Sequence, residues 1–273
     1  MFFDTHCHLN FQIFDNDVSQ VVNQAIGVGV KNIIIPGTDI LTSKKSITIA
    51  QKFTGVYAAI GIHPHHIFEM FINKQNQDKD IFFQLERLVK KEKVVAVGEI
   101  GLDRHYYQKT KYDDYQINKE FINLQKKFFI SQLKLAYNYK KSLIIHNRQA
   151  KDDLLTILKI YKKLLLPKKV VFHCCESDEE LLDFAVKNKI FIGMDGDVFY
   201  DEKKQEFVKK IPLKSLVLET DAPFLSPVKK FPNQPKNLIM IAEKIAQIKK
   251  ITLEKIAEKT TFNGKILFGL PPF

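Results

Sequence analysis

A chain of 273 residues that is 45% hydrophobic can bury a substantial core, and a net charge of +11 with a pI near 9.3 favours anionic partners: nucleic acid, phosphorylated ligands or an acidic membrane surface. Three cysteines, Cys7 alone and Cys174 beside Cys175, argue against a disulfide framework and for a reducing cytoplasm. Asp4, His6 and His8 interrupt the apolar start, which argues against a signal peptide, and no apolar run is long enough to span a bilayer.

Short β-branched runs predict strands, in chain order, at 2–5, 31–35, 56–60, 94–98, 142–145, 170–172, 190–194 and 215–219. Most lack polar alternation, the pattern of strands buried on both faces in a parallel sheet. Between the fourth and fifth, Phe121, Leu124, Phe128 and Leu135 keep helical spacing. After the sixth, Ser177 and Glu180 form an S-x-x-E capping box ahead of a helix. After the eighth, Leu238, Ile241, Ile245 and Ile248 mark another helical stripe. These stripes are core packing, and no low-complexity linker divides the chain. Eight strands alternating with helices predict an α/β fold in one domain over 1–273, a (β/α)8 TIM-type barrel in preference to a doubly wound sheet. In such barrels the chemistry lies at the C-terminal ends of the strands.

The reactive residues fall at those ends. His6 and His8 follow the first predicted strand, and residues two apart in extended chain point to one side. His63 and His65, in GIHPHH, follow the third; Glu99, in VGEIGLD, the fourth; His146 and Arg148, in LIIHNR, the fifth; His173, in VVFHCC, the sixth. Glu219 and Asp221, in LVLETDAP, close the eighth. A lone histidine is most often a satisfied structural residue; joint placement on one rim points instead to a metal centre. His6, His8 and Asp221 would hold one divalent ion, His146 and His173 a second, and Glu99 would bridge both. Two ions roughly 3.5–4 Å apart activate water and stabilise charge on a phosphoryl oxygen. Asp221 is also a candidate acceptor of the water's proton. Mixed imidazole and carboxylate donors suit zinc, manganese or cobalt, whereas magnesium prefers more oxygen.

Arg148 would either grip a phosphate through paired hydrogen bonds or form a salt bridge with a rim carboxylate. His63 would position substrate or, with Pro64, shape its loop; His65 and His66 are weaker candidates for contact. His105 lies with Arg104, Tyr106 and Tyr107 in a basic, aromatic loop of the kind that stacks bases, a mixture equally common on ordinary surfaces. The pair Cys174–Cys175 lacks zinc-finger spacing, and no Walker or G-x-S-x-G element is present, so the cysteines read as structural or incidental.

In order, DTHCHLN, GIHPH, VGEIGLD, HNR, FHC and ETDAP resemble the TatD family of metal-dependent deoxyribonucleases, among the amidohydrolase-like barrels, and the resemblance runs to the closing TTFNGKILFGL. It implies a TIM-type barrel and divalent-metal hydrolysis of DNA phosphodiesters, often as a 3′–5′ exonuclease. It implies metal ligation by His6, His8, Glu99, His146, His173 and Asp221, and a place near the substrate phosphate for His63 and Arg148. Many members are magnesium-dependent, so the two ions stay open among magnesium, manganese and zinc. Two departures stand out. HCCES replaces the more usual HCFSG, and Glu176 there would weaken phosphate binding or cap a helix; PNQP at 232–235 replaces RNEP, which leaves that loop's contacts open. The expectation is a monomeric, cytoplasmic nuclease acting on DNA, with no membrane attachment and no obligate protein partner. The alternatives are an ester or amide hydrolase using the same site, for example on aminoacyl-tRNA, and a nucleic-acid-binding protein with a vestigial site.

Overall fold

In a computed structural model, which describes residues 1–73, 78–108, 110, 112 and 115–271, eight parallel strands close into a barrel in sequence order. They are β1 (Phe2–Asp4), β2 (Val30–Pro36), β3 (Val56–Ile60), β4 (Val94–Asp103), β5 (Ser142–Arg148), β6 (Val170–Phe172), β7 (Phe191–Met194) and β8 (Leu216–Leu218). Asp4 pairing with Leu218 closes the ring between β1 and β8. Outside run α1 (Val18–Gly27), α2 (Ile40–Lys52), α3 (Phe68–Asn73), α4 (Asp78–Leu88), α5 (Lys119–Asn138), α6 (Lys151–Ile160), α7 (Glu179–Asn188), α8 (Glu202–Lys210), α9 (Leu238–Lys249) and α10 (Leu253–Phe268). This is the TIM-type barrel that the alternating pattern predicts.

The continuous apolar runs exist because each strand is covered twice. One residue per strand (Phe3, Ile34, Ala59, Ala96, Ile144, Val171, Phe191 and Val217) joins Leu267 and Phe268 of α10 in a cluster separate from the larger outer core. These residues fill the barrel, as side chains of a closed eight-stranded ring must. α10 plugs the end where the strands begin: Ser142, the first residue of β5, donates its hydroxyl to the Leu267 carbonyl. Gly264 permits the approach, since a Cβ there would lie 2.7 Å from Phe3 Cδ1.

Three boundaries that bear on the site differ from the sequence expectation, and the other strand ends shift by at most one residue. β4 and β5 continue to Asp103 and Arg148, which pair with each other, so Glu99, His146 and Arg148 lie within strands rather than beyond them. Their polar side chains interrupt the apolar runs by which strands are recognised, although the ladder continues. The helix after β6 is capped by Asp178, whose side chain accepts from Glu180 N (2.9 Å) and Leu181 N (3.1 Å), and not by Ser177. A carboxylate is a strong N-cap and also complements the helix dipole. Among the described residues no helix is long and apolar enough to cross a membrane.

Phe3 is buried within the interior layer. Phe3→Ala is expected to cost about 3–5 kcal/mol, the range for emptying a buried aromatic site. Urea unfolding would read this as a lower midpoint at unchanged slope; an unchanged midpoint would mean the interior layer is not what holds the ring.

Candidate metal centre

Past the last residue of β1 the chain stays in register with its neighbour. His8 N donates to the Ala222 carbonyl (2.7 Å), Asp221 N donates to the His6 carbonyl (2.9 Å), and Cys7 bridges Ala222. His6 and His8 therefore stand beside Asp221. Asp221 adopts a left-handed backbone (φ 51°), uncommon outside glycine and tolerated by aspartate. Asn233 holds that turn: its buried amide donates to the carbonyls of Thr220 (2.7 Å) and Leu225 (3.3 Å). Asn233 lies in PNQP and is the asparagine that this stretch shares with RNEP, so the departures at Pro232 and Gln234 leave this internal pin in place. Asp4 adds a second, accepting from Thr220 N (2.9 Å) and Oγ1 (2.6 Å). On the far side, Gly101 (φ 150°) pairs with His146, and a Cβ there would overlap the His146 carbonyl.

Five imidazoles surround Glu99. Its Oε2 lies 3.4 Å from His6 Nε2 and 3.5 Å from His8 Nε2. Its Oε1 lies 2.8 Å from His146 Nδ1, 3.4 Å from His63 Nε2 and 3.7 Å from His173 Nε2. Asp221 Oδ1 lies 3.6, 3.4 and 3.9 Å from Nε2 of His6, His8 and His173. The His6 and His8 Nε2 atoms are 3.1 Å apart. Donors at about 2.0–2.2 Å from one ion stand about 2.8–3.6 Å from each other in octahedral or tetrahedral geometry. The spacings of His6 and His8 to each other, to Glu99 and to Asp221 fit that range. Asp221 Oδ1 is buried, faces the cluster, and has no hydrogen-bond partner among the described residues. Glu99, His146 and His173 form a second group whose donor atoms lie within 4.8 Å of one another.

The electrostatics fit a cation. Burial opposes charge on Glu99, Asp103 and Asp221, yet the surrounding imidazoles hold all three carboxyls below their ordinary range. Burial also opposes charge on His146 and His173, yet their carboxylate neighbours raise them to about 9 and about 10. His6 falls to about 3, through burial and then the adjacent His173. The cluster thus carries surplus negative charge that protons or a metal ion must offset.

Several functional neighbours had no assigned role in the sequence reading. Asp103 is buried, accepts from Tyr107 Oη (2.7 Å), and has Oδ2 3.2 Å from His146 Nε2. Its signal was the four-residue step from Glu99, which keeps both on one side of a strand. Glu219 Oε1 lies 3.1 Å from His173 Nδ1. Arg148 donates to Tyr107 Oη (3.0 Å) and lies 5.1 Å from its ring centroid. It forms no salt bridge to a rim carboxylate among the described residues. His63 Nδ1 accepts from His65 N (3.1 Å), a contact that shapes the loop around Pro64, while its Nε2 faces Glu99. His65 packs on Tyr107 and Tyr115, and His105 packs edge-on to Tyr107. Glu176 caps no helix; it accepts from Asn147 Nδ2 and from Gln149 N (2.8 Å), tying its loop to the end of β5. Cys174, Asp195 and Asp197 also converge, and the buried Lys204 beside them supplies the compensating charge. The central residues open into a cavity of about 570 Å³ whose walls include Phe11, Phe224, Tyr107 and Arg148.

A family model described as TatD related DNase matches residues 3–269. The uncharacterized metal-dependent hydrolase YabD of Bacillus subtilis is 34% identical over 274 residues, 99% of this chain and 100% of that protein. The crystal structure of YjjV, a TatD homolog from Escherichia coli K12, superposes with a TM-score of 0.84 at 30% identity, covering 99% of this chain and 98% of that one. The 3′-5′ ssDNA/RNA exonuclease TatD of Erwinia amylovora is 29% identical over 280 residues, 98% of this chain and 100% of that protein.

Asn233→Ala leaves buried carbonyls without donors. The expected cost is about 1–3 kcal/mol in urea unfolding; a neutral substitution would show that the turn carrying Asp221 is held by other contacts.

Proposed function

We propose, for a chain that belongs to the TatD-related DNase family, a hydrolase that uses two divalent ions to cleave DNA phosphodiesters from a 3′ end. The observation that carries this reading is the two-sided environment of Glu99, with His6 and His8 at one oxygen and His146 and His173 at the other. His6, His8 and Asp221 would hold one ion, His146 and His173 the second, with Glu99 between. The donor set is compatible with magnesium, manganese or zinc. Bound there, the ions supply Lewis acidity, lowering the pKa of water and offsetting charge on the phosphoryl group.

The remaining roles belong to the chain. Asp221, kept ionised by its imidazole neighbours, accepts the proton of the attacking water. Arg148 gives the phosphate parallel hydrogen bonds, with Tyr107 steadying the guanidinium from below. His63 faces the same cavity and orients the phosphate from the β3 side. Asp103 and Glu219 fix the rings of His146 and His173, as outer carboxylates do for metal-bound histidines. The net charge of +11 favours encounter with a polyanion, and binding should weaken with salt.

The test pairs wild type with Glu99→Ala. Bound metal is counted by mass spectrometry, and nucleotide release is followed from end-labelled single-stranded DNA. Wild type should hold up to two ions and shorten DNA from the 3′ end; the variant should do neither. Metal binding without DNA turnover would refute the substrate and make other esters, aminoacyl-tRNA first, the next candidates. Arg148→Ala should lower kcat/KM for DNA by about 10–100-fold, the range for losing hydrogen bonds to a charged group. Glu219→Gln should weaken divalent-metal affinity by about 10–100-fold in isothermal titration; unchanged affinity would detach Glu219 from the centre.

A further inference from the structure

We propose that Phe224, backed by Phe11, is the surface on which the last nucleobase of a single strand stacks, so that this wall of the cavity selects unpaired ends. The inference rests on the proposed action on DNA and adds a subsite to it.

The cavity has two unlike sides. His63, Asn147 and Arg148, from the ends of β3 and β5, offer polar groups on one, whereas Phe11, Phe224 and Leu225, from the ends of β1 and β8, give the other its apolar surface beside Asp197 and Asp221. A nucleotide has the same division, with an anionic phosphate and a flat base of low polarity on its faces. A phosphate drawn to Arg148 and the central residues leaves its base to the apolar side.

Phe224 is suited to receive it. The ring is 51% exposed although it lines the cavity. It stands nearly perpendicular to a stacked pair formed by His8 and Phe11, at 74° and 79° to the two rings. His8 and Phe11 themselves stack at 4.4 Å and 22°, so Phe11 is already engaged by His8. Tyr107, the aromatic ring across the cavity, has the Arg148 guanidinium over it. Phe224 is therefore the aromatic ring of this cavity with surface to spare.

The backbone that carries the ring is also held in place before any ligand arrives. Phe224 N donates to the Asp221 carbonyl (2.8 Å), and Asn233 N donates to the Pro223 carbonyl (2.9 Å). Asn233 Nδ2 reaches Leu225 O on the other side. An exposed aromatic on a turn pinned at both neighbours loses little entropy when a base lies against it, because its two side-chain torsions are the main freedom it gives up. A lone exposed phenylalanine is ordinary on a protein surface. One carried three residues from Asp221, lining the cavity and half exposed, is a platform. Stacking of this kind tolerates any base, since every base has a π-face. A cavity of about 570 Å³ is of single-ligand size. A paired terminal base would bring its partner strand against the wall, so a duplex end has to fray before its base reaches Phe224.

The test compares two single-stranded oligonucleotides that differ only at the 3′ end, one carrying a terminal thymine and one an abasic tetrahydrofuran residue. Wild type should favour the base-bearing end by about 5–150-fold in kcat/KM, the range for one base–aromatic stack, mostly through KM. Phe224→Ala should bring the ratio near one, and Phe224→Trp should restore it. A merely structural lesion would slow both oligonucleotides together and leave the ratio intact, which would overturn the inference. The same pair is measured by fluorescence anisotropy with metal chelated, so that binding is read apart from turnover. If wild type releases no nucleotide, the hydrolytic reading fails, and the ratio of Kd values decides this one. Equal Kd values in wild type, or an inequality that survives in Phe224→Ala, would overturn it.

Discussion

Glu99 is a carboxylate buried to 3% exposure with five imidazoles around it, and Asp103, Glu219 and Asp221 are buried in the same region. Charges taken this far from water are tolerated only when opposite charge and hydrogen bonds meet them at short range. The donors must therefore be held within a few tenths of an ångström. A βα loop held only by its own turn does not give that precision. The chain supplies it with four buried amides. Asn10 donates to Pro36 O (2.8 Å) and Ser46 Oγ (2.9 Å), fastening the segment behind His8 to the end of β2. Gln125 exchanges hydrogen bonds with the Asp103 backbone (3.0 and 2.9 Å), and Gln132 does the same with Ile62 (2.7 and 3.1 Å). Asn233 closes the series at the Asp221 turn. Each reads backbone polar groups that would otherwise be buried without partners, so the same contact that positions the site also removes a desolvation cost.

The two ends of the barrel divide the labour. The end where strands begin is packed with Phe3, Phe191 and the plug from α10. The opposite end is polar, and its buried charges would destabilise a small core. α5 serves both purposes. Phe121, Phe128 and Phe129 pack against the outer core while Gln125 and Gln132, on the same buried side, grip the end of β4 at Asp103 and the loop that presents His63. One helix thereby couples barrel packing to the geometry of a strand end and a loop around Glu99.

The sequence made the barrel legible because each strand is covered on both faces, so its apolar run survives as a contiguous signal. The cluster was legible because histidines and carboxylates recur just after those runs, and the structure brings His6, His8, His63, Glu99, His146, His173 and Asp221 together. The supports were not legible. Gln125 and Gln132 fall inside a stripe recognised by its hydrophobic members, and a polar residue on that face gives no sign of whether it meets solvent or a loop. Asn233 is buried only because Thr220 and Leu225 turn around it, thirteen and eight residues away. Asp178 outcompetes Ser177 as a cap on the strength of its charge and its second partner, Lys151 at 2.9 Å. Such contacts are decided by what lies opposite, and periodicity carries no information about that.

Charge acts on two scales here. The excess of +11 comes from lysines spread over the surface, and its pull on a polyanion is screened beyond about 8–10 Å at physiological salt. Within the cavity the balance differs: Glu176 and Asp197 line the same space as Arg148. Glu176 is engaged by Asn147 and the Gln149 backbone, which fixes its position while leaving its charge. A phosphate entering from the rim therefore meets carboxylates as well as a guanidinium, and the surface lysines cannot compensate at that range. Under the proposed function, favourable binding rests on metal held at the centre and on Arg148. The surface charge then sets how often a strand arrives, while the few groups around Glu99 set whether its phosphate stays.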